Sequence, residues 1–117
     1  MCQLRSCEGR DPLTTACEDP VTVGSRMVAD GTRLEIRLSP SCQAGWIRSW
    51  PAHRGFRIEI TSPDGRTQAA TAPTALPEGA GEMVTTTMIA AAHATGLRCC
   101  YYPLAGRPGR ECFNAGF

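Results

Sequence analysis

Lysine is absent from this chain: all 12 basic side chains are arginine. Codon bias in a GC-rich genome explains that more simply than selection for guanidinium chemistry. The arginines are scattered among 11 acids and leave a formal net charge of +1. A nucleic-acid partner is not expected, since it requires a clustered basic face. Long apolar runs are missing too. No stretch approaches the roughly 18 apolar residues of a membrane helix, so the chain carries no transmembrane segment. The opening MCQLRSC also lacks the apolar core of a secretory signal peptide.

Catalytic signatures are equally scarce. There is no GxGxxG, P-loop, HExxH or GxSxG. A cysteine nucleophile needs a neighbouring base, and the two histidines, His53 and His93, stand in no recognisable motif. The carboxylate pairs Glu8/Asp11 and Glu18/Asp19 could serve a metal or a hydrolase, but Asp11 in CEGRDPLTTAC has few neighbouring oxygens to complete a calcium site. Asp11 reads instead as an Asx turn or cap before Pro12. No catalytic residue, metal ligand or cofactor is assigned, and an enzyme is not expected.

Aromatic side chains make up only 6% of the chain: Trp46, Trp50, Phe56, Tyr101, Tyr102, Phe113 and Phe117. With so few, the largest is wanted inside, and Trp46 is expected in the core. Trp46, Arg48 and Trp50 nevertheless alternate along one face, and an arginine between two tryptophans can stack on them to make a binding platform. These three are the candidate binding residues. Tyr101 and Tyr102 point to opposite faces of a strand, so at most one joins such a platform.

Cysteine is plentiful. Cys2, Cys7, Cys17, Cys42, Cys99, Cys100 and Cys112 make seven in 117 residues, with no CxxC pairs and no histidines at zinc-finger spacing. That points to disulfides in an oxidising compartment, hence a secreted or extracytoplasmic protein. An export signal or anchor would then have been removed, with Met1 an added initiator. The rival is a cytosolic chain with reduced thiols. The odd number leaves one cysteine unpaired, and spacing alone leaves connectivity open. Cys99 and Cys100 face opposite ways on a strand: one faces the interior and pairs, and the other is the odd thiol or pairs with Cys112 around a loop.

Residues 1–20 carry three of the cysteines and no apolar period, so an irregular, stapled segment is expected there. VTVGSRMVA and RLEIRLS then flank Asp30-Gly31, a dipeptide suited to a tight hairpin turn. Leu34, Ile36 and Leu38 alternate with Glu35, Arg37 and Ser39, the period of a half-buried strand. Pro40 bends the chain before it resumes at Ala44–Trp50. In FRIEITS, Phe56, Ile58 and Ile60 turn inward, and Pro63-Asp64-Gly65 leads into a second hairpin partner, RTQAATA. After the loop 73–82, MVTTTMIAAA reads as strand because β-branched residues precede its helix-favouring alanines. LRCCYYP is the last strand. The expected fold is all-β, a small disulfide-stapled sandwich or barrel of about five to seven short, mostly antiparallel strands. One domain is expected over 1–117, with its β core at 21–103 and a glycine-rich tail at 104–117 pinned by Cys112.

CQLRSCEGRDPLTTAC followed by LEIRLSPSCQAGWIR resembles the YjfA-like family, a domain of unknown function common in streptomycetes and related bacteria. The positions that match are Cys2, Cys7, Gly9, Asp11, Pro12 and Cys17, then Glu35, Ile36, Arg37, Leu38, Ser39, Cys42, Trp46 and Arg48. Leu38 stands where the family usually has tyrosine, and Cys99, Cys100 and Cys112 exceed its four-cysteine core. The resemblance implies a secreted actinobacterial protein, or the extracytoplasmic end of a membrane-anchored one whose cytoplasmic end is a helix-turn-helix domain. It also implies Cys2 paired with Cys7 and Cys17 with Cys42, while the departure from the four-cysteine core suggests an extra bridge joining Cys112 to Cys99 or Cys100. No activity comes with it. The expected function is a secreted, non-enzymatic binding or protein-interaction module acting on another protein or a cell-envelope component. The alternatives are a structural part of a secreted complex or toxin assembly, and a small secreted enzyme or enzyme inhibitor.

Overall fold

The two alternating runs meet face to face. Leu34, Ile36 and Leu38 from one and Phe56, Ile58 and Ile60 from the other are all buried, and they share a core with Ile47, Ile89, Leu97, Cys99 and Tyr101. In the computed structural model, which describes residues 1–74, 82–105 and 107–116, the strands are β1 (Val21–Met27), β2 (Arg33–Ser39), β3 (Ala44–Trp50), β4 (Arg57–Thr61), β5 (Thr67–Thr71), β6 (Val84–Thr85), β7 (Ile89–Ala90), β8 (Arg98–Tyr102) and β9 (Glu111–Asn114). They form two antiparallel sheets. One runs β1-β2-β3-β6 with β7 also on β3, and the other runs β5-β4-β8-β9. The all-β, disulfide-stapled expectation therefore holds in its sandwich form. Among the described residues no helix is long and apolar enough to cross a membrane.

Local chemistry sets the turns. Gly31, at φ +92°, takes the left-handed conformation that the β1–β2 hairpin requires. Asp30 Oδ1 accepts the Thr32 N–H at 2.9 Å in the same turn. The corner at Pro40 is closed by Asp19, which accepts the Ser41 N–H at 3.0 Å and the Ser39 hydroxyl at 2.6 Å. Asp11 makes the expected Asx turn, accepting the Leu13 N–H at 2.9 Å.

Among the described residues nine strands stand where about five to seven were read, for two reasons. The run MVTTTMIAAA is extended but interrupted, giving β6 and β7. Between them the Thr86 hydroxyl accepts the Ile47 N–H at 3.0 Å, while the Thr86 N–H donates to the Ile47 carbonyl. A side chain thus stands in for one rung of the ladder, and Met88 swings to the outer face of the sheet. The stretch 104–117, read as a tail, contains β9, which extends the second sheet beyond β8. Of the loop 73–82, residues 75–81 lie outside the described residues.

Three disulfides are present: Cys2–Cys7, Cys17–Cys42 and Cys100–Cys112. The first two match the pairing implied by the family resemblance. Cys100 faces outward on β8 and pairs with Cys112 directly opposite on β9. Cys99 faces the core and is the unpaired thiol. The expectation that the inward cysteine pairs is thus corrected: inward on β8 leads to the apolar layer between the sheets, where no second sulfur sits.

A second, smaller cluster covers the outer face of β3. Cys2, Cys7, Cys17 and Cys42 pack there with Ala44, Trp46 and Met88. The N-terminal segment contributes a single 3-10 turn, Leu4–Cys7. Backbone bonds from Leu4 N–H to the Cys42 carbonyl (2.7 Å), Gly9 N–H to Met88 (2.8 Å) and Met88 N–H to Arg10 (2.8 Å) hold it down.

Candidate ligand-binding cleft

Three separate stretches converge at one end of the sandwich on a cleft of about 500 Å³. The β1–β2 turn brings Ala29 and Asp30, and the segment after β3 brings His53 and Arg54. The β8–β9 connection brings Leu104, Arg107 and Pro108, and the first residue of β9 brings Glu111. Phe56 and Tyr101 also line it, their rings meeting edge to face with centroids 5.4 Å apart. Small-molecule sites are typically concave and of about 300–1,000 Å³, and the cleft's volume falls in that range.

The cleft's acids are already engaged. Tyr101 Oη donates to Asp30 Oδ2, and Glu111 Oε2 accepts the Ala29 N–H at 3.0 Å. Burial raises the Asp30 pKa, but bonds from Tyr101 and Thr32 and the charge of His53 outweigh it and hold the carboxyl below its ordinary value. Burial, followed by the bond to Asp30, pushes the Tyr101 phenol well above its ordinary range. Tyr101 therefore stays neutral and donates to an ionised carboxylate.

The cleft's cations are not engaged in the same way. Among the described residues neither Arg54 nor Arg107 forms an ion pair. His53 Nε2 lies 3.8 Å from Asp30 Oδ1. That nitrogen is buried without a hydrogen-bond partner, the kind of unsatisfied group that singles out a site.

The Trp46, Arg48, Trp50 stripe lies on the outer face of β3 but is divided. Trp46 is 6% exposed, sealed under the two N-terminal disulfides, in agreement with its expected core role. Arg48 pairs through Nε with Glu35 across the strands and lays its guanidinium 5.3 Å from the centre of the Trp50 ring. Both are half-buried, leaving an edge accessible. His93 is exposed in a separate shallow pocket, with no acid partner among the described residues. Cys99 is fully buried and burial pushes its thiol up to about 12, opposite to what a nucleophile needs. Tyr102 turns away from Tyr101, as alternation requires, under Arg110 at 5.4 Å. Phe117 lies outside the described residues. The cleft residues Asp30, His53, Arg54, Tyr101 and Arg107 were missed by the sequence reading as a site, because nothing in their spacing joins them.

These features define a small disulfide-stapled β-sandwich with a cleft lined by both apolar and charged side chains. Residues 5–100 match the model of the family described as Protein of unknown function (DUF2690), and the chain belongs to that family. No curated protein and no solved structure matches it.

Proposed function

We propose that this chain is a secreted or extracytoplasmic, non-enzymatic binding module whose cleft receives an anionic group carried by a cell-envelope component, with another protein as the alternative carrier. The observation that carries this reading is the imbalance of partners in the cleft. Asp30 and Glu111 are held by the fold, while Arg54 and Arg107 face the same concavity without ion pairs among the described residues. Leu104 and Pro108 supply an apolar flank for the rest of the ligand. A non-catalytic role is supported by the raised Cys99 and Tyr101 pKa values, which leave both groups protonated at neutral pH. Three disulfides support the oxidising compartment. The lysine-free composition and the N-terminal motif support the YjfA-like affiliation and an actinobacterial origin. The large core, drawn from both sheets, and the N-terminal segment packed over the outer face of β3 support a single domain over 1–117.

Calorimetric titration of the oxidised chain with carboxylate- and phosphate-bearing envelope fragments tests the reading. Arg107→Ala and Arg54→Ala are each expected to weaken binding about tenfold, the worth of roughly 1.4 kcal/mol for one charge-assisted bond. Binding untouched by both substitutions but lost in Trp50→Ala would move the ligand to the Arg48–Trp50 edge and overturn the cleft assignment.

A further inference from the structure

Four sulfurs sit closer together than two independent disulfides need. The Sγ atoms of Cys2, Cys7, Cys17 and Cys42 all lie within 4.8 Å of one another. Cys2 and Cys17, members of different disulfides, are 3.9 Å apart. All four are buried, at most 5% exposed, and they reach the cluster from three places: the N-terminal turn and the residues just before it, the end of the irregular segment, and the corner between β2 and β3. A tetrahedral zinc centre holds its thiolates about 2.3 Å from the ion, which places the sulfurs about 3.8 Å from each other. That edge nearly equals the Cys2–Cys17 separation and falls inside the span of the whole set.

We propose that the reduced chain binds one zinc ion through Cys2, Cys7, Cys17 and Cys42, so that the same four sulfurs form either two disulfides or a tetrathiolate metal centre. The backbone bonds linking Leu4 to Cys42, and Gly9 and Arg10 to Met88, involve no sulfur, so they can re-form once a metal draws the four thiolates together after reduction. Soft thiolates select zinc over magnesium or calcium. A tetrathiolate zinc centre carries two negative charges. Arg37 stands on the same outer face, in register with Trp46, and its Nε is buried without a hydrogen-bond partner. A cation on that face offsets the charge.

The chemistry balances with a dithiol as reductant. Each disulfide is broken by one dithiol, which leaves as its own cyclic disulfide. Two dithiols thus deliver four electrons and four protons and yield four thiols. Zinc then displaces the four thiol protons to water. The N-terminal segment stays pinned over Trp46 in either redox state, and the site is independent of the cleft.

The test uses the full chain, reduced without oxygen by a phosphine that does not hold zinc. Cobalt is added first as a spectroscopic probe, then zinc. The expected results are one metal per chain, a tetrahedral thiolate cobalt spectrum displaced by zinc, and recovery of near-ultraviolet dichroism. Cys99→Ser should retain all three and Cys17→Ser should lose them. The proposal is overturned if the reduced chain binds no stoichiometric metal, if Cys17→Ser and Cys42→Ser bind as tightly as the parent, or if the oxidised chain binds equally well.

Discussion

Burial decides the chemistry of individual residues here, and Cys99 and Tyr101 show it in different ways. Cys99 has no exposed surface, no disulfide partner and a thiol pushed up to about 12 by burial. Alkylation of the oxidised, folded chain should label no cysteine, whereas unfolding in denaturant should expose one thiol per chain by mass spectrometry; labelling of the folded chain would contradict its place between the sheets. Tyr101 and Asp30 form a neutral donor and a charged acceptor. Asp30 binds fewer protons folded than unfolded, so its contribution is complete above the ordinary value of 3.8 and is lost as pH falls through the lower folded one. Tyr101 is raised, so its contribution is complete below the ordinary value of 10.0 and is lost as pH rises through the higher folded one. Tyr101→Phe should therefore cost about 1.5 kcal/mol at pH 7. It should also flatten the stability profile at both pH extremes, as read by urea unfolding at several pH values.

Strands were legible where one face is buried and the other wet. The alternation of β2 and β4 is visible in the residues because Leu34, Ile36, Ile58 and Ile60 need the core while Glu35, Arg57 and Glu59 do not. β9 was not legible: ECFN is only half-buried along three of its four residues and has no alternation of its own. Its place comes from tertiary structure, from register with β8, the Cys100–Cys112 bridge, and the Arg26 guanidinium bonded to the Cys112 carbonyl at 3.0 Å. The interruption between β6 and β7 was hidden for a similar reason, since a threonine hydroxyl replacing a ladder bond leaves no trace in periodicity. A bridge closing a 12-residue separation is worth about 3 kcal/mol by loop-closure entropy. Replacing both Cys100 and Cys112 by serine should lower stability by roughly that amount and open 104–116 to limited proteolysis first. Glu111 would then lose its hold on Ala29, so the cleft should weaken its ligand along with β9. A double variant as stable and protease-resistant as the parent would show that β9 is held by packing alone.

At the scale of the whole molecule the protein has two cores of unequal size, and its candidate sites fall where separate elements meet. That is why the sites were not legible. The cleft draws on residues 29–30, 53–56, 101–104 and 107–111, and the sulfur cluster on 2–42; adjacency arises only once the two sheets close and the N-terminal segment folds back. The large core uses both sheets, while the small one is covered by the N-terminal segment, held over Trp46 and Met88 by its two disulfides, by three backbone bonds and by Glu8, which accepts from Arg66, Gln68 and the Ala90 N–H. A disulfide spanning 25 residues contributes about 3.5 kcal/mol, whereas a domain of this size has a total stability of about 5–15 kcal/mol. Replacing Cys17 and Cys42 together by serine should therefore release the N-terminal cover without unfolding the sandwich. Hydrogen exchange should read this directly. The amides of Leu4, Gly9 and Met88 are expected to lose protection, while those of Ile58, Ile60 and Tyr101, in the central strands of the second sheet, keep theirs. Equal loss across both groups would mean that the two cores fold as one unit, and that the N-terminal staple is part of what holds the sheets together.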